Sequence, residues 1–192
     1  PYFLGKYEVT NDQFARFVAT GRGESLELGR DRDDTFQPGP GERTLSWTHP
    51  FPGLTEPLPG DRPVVQVTWT QAAAYAQWLQ LELPTEAQWE RAAAWDGASA
   101  RRFSWGGIEP GPDHPSLGNF SDLALAKAAP PGRPTRALYG YVDGAPYVAA
   151  VGSFPRDVSP VGAYDMTGNV RELCRDVYDA RFLGTAQARV AD

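Results

Sequence analysis

The chain has 192 residues, of which 41% are hydrophobic and 22% charged, with a net charge of −6 at pH 7; this is the balance of a globular domain large enough to own a core. The acidic excess argues against a nucleic-acid backbone as partner, and no apolar run reaches membrane-spanning length. One cysteine, Cys174, and two histidines, His49 and His114, exclude an internal disulfide and any zinc site of four cysteines, or of two cysteines with two histidines, within this chain.

With 20 Gly and 18 Pro, turns and loops should outweigh long helices. The aromatic residues can pin irregular backbone in place. The cysteine economy is that of a cytoplasmic protein, and a disulfide-free exported protein would share it.

Taken in order, residues 1–7 read as a strand through Tyr2, Phe3, Leu4 and Tyr7. Thr10 to Gln13 is a capping box. Phe14, Phe17 and Val18 then recur at helical spacing, which predicts a short amphipathic helix over 11–19. Residues 21–62 read as a long irregular loop with a strand turn near Thr44 to Trp47. Within it, the run Arg30 to Asp34 reads as a solvated face and His49 as a surface residue.

Pro63 to Thr68 alternates and is β-branched, which predicts a short strand. Thr70 can cap the helix that follows, with Ala72, Tyr75, Ala76 and Leu79 on its buried face. Thr85 to Gln88 is a second capping box, opening a helix that carries Trp89, Ala92 and Ala93 and closes at Gly97. Arg101 to Gly107 reads as a strand entering a glycine turn, and residues 107–134 as loop. Asp143-Gly144 marks a turn, in either a hairpin or an ordered loop. Trp47, Phe51 and Trp105 read as core aromatics that hold loops down, with exposure to a partner as the alternative. No repeat or linker divides the chain, so residues 1–192 read as one domain.

The stretch from Val161 to Glu172 organises the rest. Its glycines and Asn169 mark a tight turn between two acids, Asp165 and Glu172. Such a turn brings carboxylates and unclaimed carbonyls together, which suits a hard cation such as Ca2+. Two solvated acids flanking a turn would look the same.

Around this stretch, several phrases occur in order: Gly5 to Asn11, Pro63 to Trp69, Leu83 to Glu90, Ser104 to Gly107, Gly118 to Phe120, Val151 to Phe154 and Tyr164 to Val170. Together they resemble the formylglycine-generating enzyme, or sulfatase-modifying factor, family. The resemblance implies an α+β domain with a C-type lectin-like fold, two main helices, short strands and much irregular loop. It also implies that the domain here lacks its first strands and its C-terminal segment.

Two calcium sites are implied as well. One uses Asp165 and Glu172 by side chain with the carbonyls of Gly168 and Val170. The other combines Asn119 and Phe120 with Asp143 and Ala145; there, Asn119 capping a turn and Asp143 starting one is the competing reading.

Enzymes of the family hold Cu(I) between two cysteines, which soft thiolates suit. That pair is not in this chain, so copper is expected only if a cysteine pair lies beyond it. Cys174 reads as a buried small hydrophobe rather than a nucleophile. No catalytic residue is assigned. The family also includes variable proteins of diversity-generating retroelements, kinase-attached domains and iron enzymes that need a His-rich site. The expectation is therefore a calcium-stabilised ligand-binding scaffold, possessing a retroelement-diversified surface in one version. It would meet a protein or other ligand through a loop surface or a C-terminal segment. A copper-dependent oxidase that converts a sulfatase cysteine to formylglycine is the alternative.

Overall fold

The computed structural model describes residues 2–22, 45–51, 53–114, 116–129, 137–138 and 140–177. The predicted run Arg30 to Asp34, residue Thr44 and the stretch after Val177 lie outside them. Among the described residues, four helices form: α1 over Asn11–Val18, α2 over Trp69–Trp78, α3 over Glu86–Ala94 and α4 over Leu123–Ala128. Among the described residues, β structure is confined to isolated antiparallel bridges such as Thr10 with Pro63 and Val158 with Tyr164. The architecture is mixed, with few helices, little strand and a large share of ordered loop. Among the described residues, α1, α2 and α3 are of similar length.

Helices α1 and α3 begin where their capping boxes place them. Thr10 accepts from the Gln13 amide while the Gln13 side chain bonds back, and Thr85 and Gln88 do the same. Helix α2 starts two residues earlier than expected. Thr68, not Thr70, is the N-cap, because only Thr68 has a glutamine, Gln71, at the third helical position to close the box. Thr68→Ala should therefore cost about 1 kcal/mol in urea denaturation, and Thr70→Ala under about 0.5 kcal/mol. Equal losses would return the cap to Thr70.

The strand expected over Pro63 to Thr68 does not form. Gln66 sits at φ 57°, a left-handed conformation that breaks the two-residue alternation. Val64 and Val67, three apart, turn inward instead and pack on the first core. In the expected strands, residues 2–7 and Arg101 to Gly107 are also irregular, and the latter is a tight turn closed by Phe103 and Gly106. The Asp143-Gly144 turn lies in an ordered loop. Helix α4 arises within the expected loop, capped by Asp122, whose carboxylate accepts from the amides of Ala124 and Leu125.

Among the described residues, two small cores result. Phe14 and Phe17 of α1 meet Tyr75 of α2, with Phe17 and Tyr75 edge to face at 5.7 Å. Each buried phenylalanine contributes about 1.5–3 kcal/mol. Trp47 packs on Phe14 at 5.5 Å, while Leu79, at the end of α2, is 43% exposed rather than buried. Phe51 stacks on Tyr147, and Trp105 on Phe103, so all three loop aromatics have ring partners. The second core joins Ala92 and Ala93 of α3 to Ala163 and Met166, with Leu4 and Trp89 against it. Small alanines let the loop around residue 165 and the N-terminal segment lie close on the same helix.

Candidate metal centre

The loop is held from several sides. Val158 bridges Tyr164, and the Ser159 amide donates to Ala163 O at 2.8 Å. Asp165 at φ 58° and Asn169 at φ 64° then turn the chain through left-handed conformations, which Asp and Asn tolerate better than most residues. Gly168 has no substitute: a Cβ there would lie 2.6 Å from Asn119 O.

Beneath the loop lies Asp157, 1% exposed. Its Oδ1 accepts from Ser104 Oγ and from the Thr167 amide at 3.3 Å; its Oδ2 accepts from the Gly168 amide at 3.2 Å. Burial, outweighing these donors, pushes its carboxyl up to about 6.

Asp165 is 2% exposed. Its Oδ2 accepts from the Gly152 amide at 2.5 Å, and its Oδ1 is buried with no hydrogen-bond partner. Glu172 is held by α3, whose Trp89 Nε1 donates to Oε2 at 2.7 Å. Burial raises the pKa of both carboxyls, and the Asp165 charge adds to the rise at Glu172. Among the described residues, no backbone donor reaches the carbonyl of Gly168 or of Val170.

A third carboxylate stands here that sequence reasoning missed. Glu8 is 8% exposed, and its Oε1 is also buried without a partner. Burial first, then the neighbouring Asp165, push its carboxyl up to about 9; Glu172 adds to the rise, while Asn169 and the backbone of Val170 oppose it. Glu8 lies in the phrase Gly5 to Asn11, where its only signal was a lone acid among apolar neighbours. Asn169 was missed as well, and it is the hub. It donates to Glu8 Oε2 at 2.9 Å and to Ala149 O at 3.4 Å, and accepts at Oδ1 from Ala149 N and Asn119 Nδ2.

The second expected group is brought together too. The Phe120 amide donates to Asp143 Oδ2, and the Ala145 amide to Asp143 Oδ1, both at 2.8 Å. Both carboxylate oxygens of Asp143 thus already accept a backbone N–H: Oδ1 closes an Asx turn with Ala145, and Oδ2 ties the turn to Phe120, 23 residues away. Buried Asn119 gives its amide protons to Tyr147 O and Asn169 Oδ1.

Among the described residues, no three His, Cys, Asp or Glu side chains form a ready-made metal cluster. A calcium site drawing half its oxygens from carbonyls does not require one. At the first group the donor types suit a hard cation: a buried carboxylate oxygen without a partner, in one loop with two carbonyls that no backbone donor reaches. Copper does not fit. Cys174 is partly exposed rather than buried; burial and the carboxylates of Asp176, Glu86, Glu172 and Glu90 all raise its thiol pKa, which disfavours the thiolate that would ligate Cu(I).

Comparison with known proteins decides the family. The sulfatase-modifying factor enzyme 1-like domain matches residues 1–191. The chain belongs to this family. It is 32% identical to the hercynine oxygenase of Mycolicibacterium smegmatis over 88% of this chain and 36% of that protein. It is 33% identical to the serine/threonine-protein kinase pkn1 of Chlamydia pneumoniae over 94% of this chain and 23% of that protein. It is 30% identical to the formylglycine-generating enzyme of Thermomonospora curvata, over 96% of this chain and 63% of that enzyme. The chain thus spans about a third or less of the first two relatives. No helix among the described residues is long and apolar enough to cross a membrane.

Proposed function

We propose that this chain is a calcium-clamped scaffold of the sulfatase-modifying factor family with a C-type lectin-like fold, presenting ordered loops to a ligand. The observation that carries the calcium reading is Asp165 Oδ1, an anionic oxygen buried without a partner. Such an atom costs roughly 1–3 kcal/mol or more unless something answers its charge. Asp165, Glu172, Gly168 O and Val170 O would hold the ion. Calcium would supply a fixed positive charge that fastens loop backbone no sheet ladder has claimed. At Asn119, Phe120, Asp143 and Ala145 the calcium reading rests on family resemblance alone, since each Asp143 oxygen already accepts an N–H.

The test is metal analysis of purified protein, with melting in excess Ca2+ and in chelator. Calcium at a hundred times Kd adds about 2.7 kcal/mol, a rise of roughly 5–10 °C for a domain of this size. Asp165→Asn should abolish most of that rise. Melting temperatures that coincide in the two buffers would remove the proposal.

The ligand-binding part of the reading follows from the chemistry available. The one thiol is held away from its reactive form, and fold alone does not assign an activity. A second reading, a formylglycine-forming copper oxidase, is favoured by the alignment with the Thermomonospora curvata enzyme along nearly this whole chain. It requires two cysteines from beyond these 192 residues. Reading the coding sequence past Asp192 separates the two: a nearby cysteine pair selects the oxidase. The relatives do not speak for a retroelement-diversified surface.

A further inference from the structure

We infer that the open groove beside α2 docks an amphipathic helix of a partner protein, its apolar stripe against the groove and its basic flank toward the acids of α3. This rests on the ligand-binding part of the reading above and names a surface and a partner class for it. Helix α2 is apolar on two sides. Tyr75 packs on α1. Trp69, Ala73 and Gln77, each four residues on from the last, form a ridge along another face. That ridge lines a groove of about 430 Å3, whose other walls include Leu81, Leu83 and Arg175. Trp69 is 43% exposed and Leu81 60%. A helix with apolar residues on two faces ordinarily meets something on each. Trp69 is not loose: its Nε1 donates to Cys174 O at 2.8 Å, which holds the ring as a wall.

The groove's shape and its backbone favour a helix over a strand. From Trp69 to Gln77 the ridge runs about 12 Å, a little over two helical turns. Ala73 at its middle is small, which lets a second helix approach closely. The α2 wall offers few backbone groups, because they close the helix. Across from it, Cys174 O is taken by Trp69 and the Arg175 amide by Pro84 O. A strand laid here would leave most of its own N–H and C=O groups unanswered, whereas a helix arrives with them paired. Charge then selects the flank. Beside Arg175, Asp176 Oδ2 accepts from the Glu86 amide at 2.7 Å, and Glu90 stands one turn along α3 from Glu86. These three acids are exposed, and among the described residues none has an ion pair. Arg175 is itself neutralised by Glu82 at 2.6 Å. That end of the groove is therefore acidic, and lysines or arginines on the partner match it. The net charge of −6 sets a second copy of this chain against the first.

The test is NMR titration of the full chain, read at its tryptophan indole N–H signals, with the Trp69 signal assigned from Trp69→Phe. The probe is a blocked, alanine-rich peptide of about 15 residues, long enough to hold helix in water. It carries leucines at i, i+4 and i+7 and lysines on one flank. This peptide should move the Trp69 signal. Ala73→Leu fills the groove on a helix that tolerates leucine, and should weaken binding by roughly tenfold or more. Glu86→Lys with Glu90→Lys should weaken it by roughly three- to tenfold at low salt, and should strengthen binding of a peptide with glutamates in place of the lysines. A Trp69 signal that stays in place up to millimolar peptide would overturn the inference. So would equal binding of a proline-interrupted peptide, which cannot form the helix, or a shift untouched by Ala73→Leu. A signal that moves with protein concentration alone would mean self-association and overturn it too. These outcomes condemn this groove alone: the calcium clamp is judged by its own melting test, and a ligand held by other loops would leave the Trp69 signal in place.

Discussion

Asp157→Ala is expected to destabilise the fold by about 3–5 kcal/mol, enough to bring a marginal domain close to unfolding. The side chain sits under the proposed calcium loop and ties three donors to one point: Ser104 Oγ and the amides of Thr167 and Gly168. Thr167 Oγ1 extends the network by donating to Ser104 Oγ at 2.9 Å. Alanine would leave these groups unanswered in a site that is 1% exposed at Asp157, and each buried unsatisfied donor costs about 1–3 kcal/mol. Asp157→Asn should lose less, about 1–2 kcal/mol, since the amide oxygen still accepts but its NH2 must face a donor. The loss should also loosen the loop, so calcium affinity should fall with stability. Urea denaturation of both variants in chelator checks the first claim. A loss under about 1 kcal/mol for Asp157→Ala would mean that water replaces the carboxylate there.

What could be read directly from the residues was whatever is decided within a few positions of itself. The capping boxes at Thr10 and Thr85 place the starts of α1 and α3 because all their partners lie within one turn. The same rule, applied to Thr68 and Gln71, also marks α2. The strand at residues 63–68 failed because Gln66 adopts a positive φ, held there by surroundings that the local alternation does not record. Helix α4 is short and hangs on Asp122, so its periodicity is too brief to stand out from loop. The proposed calcium loop follows the same division. Asp165 and Glu172 lie in one stretch whose turn chemistry is visible. Glu8, Asp157 and Trp89 reach the site from the N-terminal segment, the loop before it and α3. Only tertiary packing brings them together, and a lone Glu among apolar residues carries no periodic mark of its destination.

Without calcium, stability should fall as pH rises from about 5 to about 9, and calcium should flatten that fall. The sign follows from where the protons sit. Glu8 titrates near 4.5 when exposed and is pushed up to about 9 in the folded protein. Between those values the folded state holds a proton that the unfolded state has released. Stability is therefore fully present below the lower value and is lost as pH climbs through the higher one. Asp157, raised to about 6, acts in the same direction at the acid end of the window, and Asp165 and Glu172 are raised by burial too. Every tenfold gain in proton affinity on folding is worth about 1.4 kcal/mol, so Glu8 alone carries several kcal/mol across the range. A bound divalent cation reverses the preference by favouring the ionised carboxylates. The gap between melting temperatures in Ca2+ and in chelator should thus widen steadily towards pH 9. Melting scans at closely spaced pH values, with a chelator whose affinity holds across the range, measure this gap. Glu8→Gln removes the titrating group, so its chelator curve should be flatter than that of wild type. A wild-type chelator curve that is already level from about pH 6 to about pH 9 would show that Glu8 keeps its charge through a neighbour other than a metal ion.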